Sequence, residues 1–294
     1  MTRRFYSIPL FLTLFLFPAY AQKNAPPKYL ALGDSISFGM DISLLAPNRP
    51  LPTPDDFRGY PEIIGDYAPR LKPEVNASCP GETSASFLNT SAFDLGCNQP
   101  RVEPDRTLPP FKTTIGLHVP YTTSQIQFAV SYLNSNKKIE LVTLGIGGND
   151  LLLAQIQCAT RPPAEFASCV QSLLTNVILP AYAQNLTQLL TAIRIQGQYN
   201  GKLMLVKYFA PAADPVTILA VTALNNVMTQ VGQGFGAVFA DGFTAFRLAS
   251  LFFQGDPCKA GLLARLSPTT CDIHPSRYGQ SVLAATVAIA NNRR

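Results

Sequence analysis

The chain has 294 residues, 47% of them hydrophobic and only 14% charged. That is enough apolar mass for one sizeable core, and too little charge for a disordered chain or a charged tail. The formal net charge of +5 falls to +3, 21 bases against 18 acids, without Arg3 and Arg4 of the leader described next; neither value gives a footprint for nucleic acid.

Arg3 and Arg4 precede an apolar run from Phe5 to Phe17, and Ala19-Tyr20-Ala21 supplies the small-x-small pattern before a cleavage point at Gln22. Residues 1–21 therefore read as a secretory signal peptide and residues 22–294 as the mature domain. The apolar run is short for an anchor, so no stable membrane span is expected after cleavage, and the protein is expected to be secreted or periplasmic. Six cysteines in an exported chain imply a disulfide framework. Of the 15 possible pairings, Cys79–Cys97, Cys158–Cys169 and Cys258–Cys271 close the shortest loops. With no C-x-x-C and two histidines, no metal site is expected. A monomer is expected. The sequons at Asn76, Asn89 and Asn185 matter only if the source glycosylates.

Tyr29 to Leu32 is a short apolar strand, ended by a Gly33-Asp34-Ser35 turn. Residues 40–58 hold four prolines and form a surface loop. Tyr60 to Leu71 has a helical face with Pro61 at its start, and Pro73 to Ala77 is a second strand, leading into Cys79-Pro80-Gly81-Glu82. Residues 89–118 carry four prolines and no periodicity, and so long an irregular segment tends to be functional. Ser124 to Leu133 is helical, and Ile139 to Ile146 is a third strand ended by Gly147-Gly148-Asn149-Asp150. Pro163 to Ile195 is a long helical pattern interrupted by Pro180. Lys202 to Phe209 and Ala237 to Ala240 are strands four and five, with a helix over Val216 to Val231 between them. Pro275 opens a closing helix over Ser276 to Asn291. Strands alternating with helices predict an α/β fold, a mostly parallel sheet of about five strands with helices on both faces.

In a parallel sheet the carboxyl ends of the strands share one edge, so Ser35, Gly81 and Asn149 can converge there, with His274 laid over them by the last loop. Serine is a weak nucleophile until a base takes its proton, and histidine is the base with a free pKa near neutrality. The N–H groups of Ser35 and Gly81 and the Asn149 amide are donors for a developing oxyanion. His118 lies in an irregular loop with no motif around it. Glu82 and Asp150 read as turn or cap residues. Gly232-Gln233-Gly234-Phe235-Gly236-Ala237 fits a dinucleotide fingerprint only in outline, because it follows a helix and precedes a strand. No G-x-S-x-G elbow exists.

These blocks resemble the GDSL, or SGNH, serine hydrolases, whose four naming residues match Ser35, Gly81, Asn149 and His274 in order. The local disulfides and the Cys-Pro-Gly-Glu-Thr segment are most similar to the secreted esterase and lipase branch. The resemblance implies a three-layer α/β/α sandwich, no cofactor, and hydrolysis of a small-molecule or lipid ester through an acyl-Ser35 intermediate. The same site could serve a carbohydrate acetylesterase. An inactive ester- or glycan-binding module would be expected to have lost Ser35 or His274. The chain departs from the family at one point: the acid normally lies three residues before the histidine, where this chain has Cys271. If the segment is extended, the side chains of Asp272 and His274 share a face. If it turns, the Cys271 carbonyl comes round to Nδ1. The turn is the favoured expectation, with Asp272 solvated beside it.

Overall fold

The computed structural model describes residues 28–45, 49–102 and 107–293; the expected signal peptide lies outside them. β1 (Tyr29–Gly33) is fully buried. Leu30 and Leu32 enter the core on one face, Tyr29 and Ala31 the core on the other, as the period of two requires of a central strand. A single helical turn, α1 (Ser35–Phe38), follows at once.

The expected helix over 60–71 is broken into α2 (Tyr60–Ile63) and two 3-10 turns, Ile64–Asp66 and Pro69–Leu71. Gly65 weakens the helix, and Pro69 has no N–H to continue it. β2 (Glu74–Asn76) leads to the Cys79 loop and α3 (Ser84–Leu88). The irregular stretch after it holds two short strands, β3 (Arg101–Val102) and β4 (Thr107–Leu108), paired antiparallel, and α4 (Phe111–Thr114). The Cys79–Cys97 disulfide and a small core of Phe38, Phe57, Phe111, Ile115 and Leu117 fasten this stretch against α1.

α5 (Gln125–Ser135), capped by Ser124, runs into β5 (Leu141–Gly145) and α6 (Gly148–Cys158). α7 (Pro163–Leu173) and α8 (Leu179–Thr191) form one continuous helical run. Pro180 does not break it, because the π-helical turn Leu174–Ile178 just before absorbs the missing hydrogen bond. From Pro163 to Gln196 this run is long and apolar enough to cross a membrane by length and composition, but here Val170, Leu174, Ile178, Tyr182, Leu186 and Leu189 form a core stripe. β6 (Lys202–Lys207), α9 (Pro215–Gln233), β7 (Val238–Asp241) and α10 (Gly242–Ala249) complete the alternation. β8 (Leu263–Arg265) and β9 (Cys271–Pro275) form a hairpin before α11 (Arg277–Asn292).

The main sheet has the order β2-β1-β5-β6-β7, with every pairing parallel. One core packs α5 to α9 on its first face, and a second packs α2, α10 and α11 on the other. The fold is a three-layer α/β/α sandwich. The strand order reverses between β1 and β5, with the chain building outward on either side of that point, which opens a crevice at the carboxyl ends of those two strands. The other two disulfides, Cys158–Cys169 and Cys258–Cys271, join α6 to α7 and the loop before β8 to β9. The Asn76 amide is buried and donates to Ser37 O and Glu62 Oε1, so that sequon is closed to a glycan.

Candidate active site

β1 ends at Gly33 with φ +146°, where a Cβ would stand 2.3 Å from the Gly145 carbonyl oxygen. Only glycine lets β1 and β5 run this close at their ends. Asp34 then caps α1 by accepting the Ile36 N–H at 3.0 Å, which turns Ser35 out at the crevice. Asp34 Oδ2 also accepts the Tyr208 hydroxyl. Burial pushes the Asp34 carboxyl up to about 6, against those two hydrogen bonds.

His274 reaches Ser35 from the hairpin strand β9. Its Nε2 lies 2.9 Å from Ser35 Oγ, and its Nδ1 contacts Asp272 Oδ1. The same carboxylate oxygen accepts the His274 backbone N–H at 2.9 Å. The expected turn carrying the Cys271 carbonyl to Nδ1 is therefore corrected. β9 is extended, paired through its ends to Leu263 and Arg265 of β8, so Asp272 and His274 fall on one face. The carboxylate bends along the strand to reach the ring. Burial would raise the Asp272 carboxyl, but the hydrogen bond and charge of His274 outweigh it and hold the group below the usual range. With the proton of Nδ1 held by Asp272, Nε2 is free to accept from the Ser35 hydroxyl.

Asn149 lies in the first turn of α6 and donates Nδ2–H to Glu82 O at 2.8 Å. That bond ties the β5 turn to the Cys79–Glu82 loop. Gly81, one residue before this carbonyl, has φ +81°, and a Cβ there would meet Leu95 O at 2.4 Å. The backbone N–H groups of Ser35 and Gly81 have no acceptor among the described residues. Ser35 and Asn149 lie on the wall of one cavity of about 530 Å³; Gly81 does not. From those two residues the cavity runs between Leu151, Leu152, Val170 and Leu174 on one side and Val216, Ala220 and Val221 on the other. Cys271, Asp272 and Ile273 close its near end.

Several supporting residues were not anticipated. Gln125, fully buried, accepts the Gly33 N–H at 2.7 Å and donates to Gly33 O at 2.9 Å and to Glu82 Oε2 at 2.8 Å. One side chain thus clamps the Ser35 turn to the Gly81 loop. Glu82 closes the Cys79–Glu82 turn, its N–H reaching Cys79 O at 3.3 Å, but its side chain does more than that. It is a buried carboxyl, pushed up to about 7 by burial despite the Lys112 charge and hydrogen bonds from Gln125 and Asn98. Asp150 does act as a cap, but of a distant helix, accepting the Ser84 N–H at the start of α3. Nothing in the sequence marks Gln125, since its partners lie 92 and 43 residues away. His118 sits apart, its Nε2 bonded to Phe38 O and its ring against Phe38. Among the described residues Cys79, Glu82 and Cys97 come close enough to share a metal, but both sulfurs are spent in a disulfide and offer no thiolate.

Residues 31–282 match the sequence profile of the GDSL-like lipase/acylhydrolase family. The chain belongs to this family. Similar solved structures of GDSL-type folds include a phospholipase A1 from Streptomyces albidoflavus, 17% identical with a TM-score of 0.55, covering 90% of this chain and 100% of that one. An extracellular lipase from Streptomyces rimosus has the same identity and coverages with a TM-score of 0.54. An acetylxylan esterase from Geobacillus stearothermophilus is also 17% identical, with a TM-score of 0.53, covering 92% of this chain and 96% of that one. No curated protein matches this GDSL chain.

Proposed function

We propose that this GDSL family member is an exported serine carboxylesterase acting on fatty acyl esters. The observation that carries the reading is the Ser35–His274–Asp272 line, with Ser35 and Asp272 on the wall of an apolar cavity. In acylation, Ser35 Oγ attacks the ester carbonyl carbon while His274 Nε2 takes the hydroxyl proton. The N–H groups of Ser35 and Gly81 and the second amide hydrogen of Asn149 receive the oxyanion. Collapse of the tetrahedral intermediate breaks the acyl–oxygen bond, and the imidazolium returns its proton to the departing alcohol. Water then enters by the same base and releases the acid from Ser35. Asp272 holds the ring and balances its charge in both halves.

The acyl chain fits between α6, α7 and α9, where aliphatic side chains line the cavity and the volume lies within the range of small-ligand sites. Each buried methylene contributes about 0.8 kcal/mol, so longer chains gain affinity until the cavity is full. A carbohydrate acetylester would leave this space empty. The three disulfides fit an oxidising compartment and support export. The test is a nitrophenyl ester series from acetate upward, alongside acetylated xylan. Specificity rising past acetate through medium chains is expected. Efficient release of acetate from xylan, with no gain from chain length, would overturn the fatty acyl assignment in favour of the carbohydrate one.

A further inference from the structure

The loop between α10 and β8 carries an unusual surface. Leu251, Phe252 and Phe253 form a 3-10 turn in which all three side chains are exposed, Phe252 by 94%. Among the described residues no other three consecutive large apolar side chains are exposed. Scattered apolar residues need no explanation, whereas a contiguous cluster does.

This turn is fastened to the mouth of the Ser35 cavity. The Phe253 carbonyl accepts the Asp256 N–H at 3.1 Å. Asp256, Cys258 and Lys259 lie on the cavity wall, and the Cys258–Cys271 disulfide joins them to Asp272 and Ile273. Behind the turn, Phe246 of α10 stacks at 4.1 Å on Phe209, another wall residue. Ile273, itself exposed, and Leu266 at the β8–β9 connection extend the apolar surface on the hairpin side.

Bases outnumber acids in this part of the chain. Between Gly242 and Tyr278 the bases are Arg247, Lys259, Arg265 and Arg277, and the acids are Asp256 and Asp272. Asp256 is paired with Lys259 at 3.3 Å and Asp272 with His274. All three arginines are exposed and meet no carboxylate among the described residues. Apolar side chains that enter an acyl layer, combined with exposed cations that meet headgroups, are the chemistry of interfacial binding.

We infer that the Leu251–Phe253 turn, together with the exposed arginines of α10, β8 and α11, seats the protein on an anionic lipid surface, with the acyl cavity opening onto that surface. The inference rests on the ester-hydrolase reading for its purpose, but its test does not depend on catalysis. The full chain is sedimented with vesicles of diether phosphatidylcholine, with and without diether phosphatidylglycerol, which offer no ester to cleave. Anionic vesicles should bind far more tightly than neutral ones, by roughly 10²-fold at low salt if each of three arginines contributes about 1 kcal/mol, and salt should reduce the difference. Phe252→Ser should weaken binding by ~10-fold or more and leave hydrolysis of soluble nitrophenyl acetate unchanged. Arg247→Ser with Arg265→Ser should remove most of the preference for anionic vesicles.

Equal sedimentation of wild type and Phe252→Ser, or no binding to anionic vesicles, would overturn the inference. So would a dimer, seen by sedimentation equilibrium, that Phe252→Ser dissociates, since the turn would then seat a second copy. A wild-type chain that binds these vesicles but cleaves no ester would count against the esterase proposal and leave the surface assignment standing.

Discussion

Asp272→Asn tests the geometry at His274 most sharply. Asp272 Oδ1 accepts both the ring Nδ1–H and the His274 backbone N–H. An asparagine must satisfy the same two donors, so its carbonyl oxygen takes that position and its amide turns to the partly exposed side. The useful histidine tautomer survives, and only the charge is lost. In the serine-protease triad the corresponding change costs about 10⁴ because the tautomer inverts. Here the loss is the charged share of a hydrogen bond, about 2–3 kcal/mol, or roughly 30- to 150-fold in rate. Asp272→Ala frees the ring as well and should lose more, towards 10³. The assay is kcat/KM on nitrophenyl butyrate with thermal unfolding measured in parallel. Because the Asp272 carboxyl is held below the usual range, the deficit of the asparagine variant should be constant from pH 6 to 9. Activity within threefold of wild type would mean that the carboxylate plays no part. A 10⁴ loss exceeding that of Asp272→Ala would refute the argument from the backbone N–H.

Asn149→Ala should lower kcat by ~10²–10³, the scale for one oxyanion donor; a change confined to KM would assign Asn149 to binding instead. Gln125→Ala should lower kcat more than KM, with partial rescue by Gln125→Glu ruled out because a second carboxyl would face Glu82; an unchanged kcat would make the clamp on Gly33 purely architectural. Burial raises the carboxyls of Glu82 to about 7, Glu62 to about 7 and Asp34 to about 6. A raised folded pKa means stability that is present below the unfolded pKa and lost as pH rises through the folded one. For Glu82 this amounts to on the order of 3 kcal/mol between about pH 4.5 and 7. Urea midpoints should therefore fall over that window, and Glu82→Gln should flatten the slope; an unchanged slope would remove Glu82 from the account. Replacing Cys258 and Cys271 together by serine should reduce activity well before the main sheet unfolds, because the bridge abuts Asp272; full activity in this variant would show that β9 holds His274 without it.

The sheet was legible because its central strands β1, β5 and β6 are buried on both faces and read as apolar runs, and β1 with its Gly-Asp-Ser turn was the clearest of them. α6 was missed although Leu151, Ala154 and Cys158 follow a helical period. Its N-cap Gly147 and first residue Gly148 read as a turn, and no side chain caps it. α10 was missed despite a cap written in the sequence, Asp241 accepting the Thr244 N–H, because only one buried side chain beyond Gly242, Phe246, marks its face. The site split along the same line. Ser35 and His274 announce themselves by chemistry and order. Asp272 was placed only as one of two alternatives, since the choice depends on whether β9 finds β8 as a partner, a tertiary event. Gln125 and Glu82 were invisible because long-range hydrogen bonds between buried polar groups leave no local pattern.

The central claim is that Ser35 carries the acyl group. Intact protein treated with a long-chain alkyl fluorophosphonate, then digested and sequenced by mass spectrometry, measures this directly. One phosphonyl adduct on the Ser35 peptide is expected, formed slowly in His274→Ala and absent in Ser35→Ala, with ester hydrolysis lost in step. An adduct on another residue, or wild-type turnover in Ser35→Ala, would contradict the account.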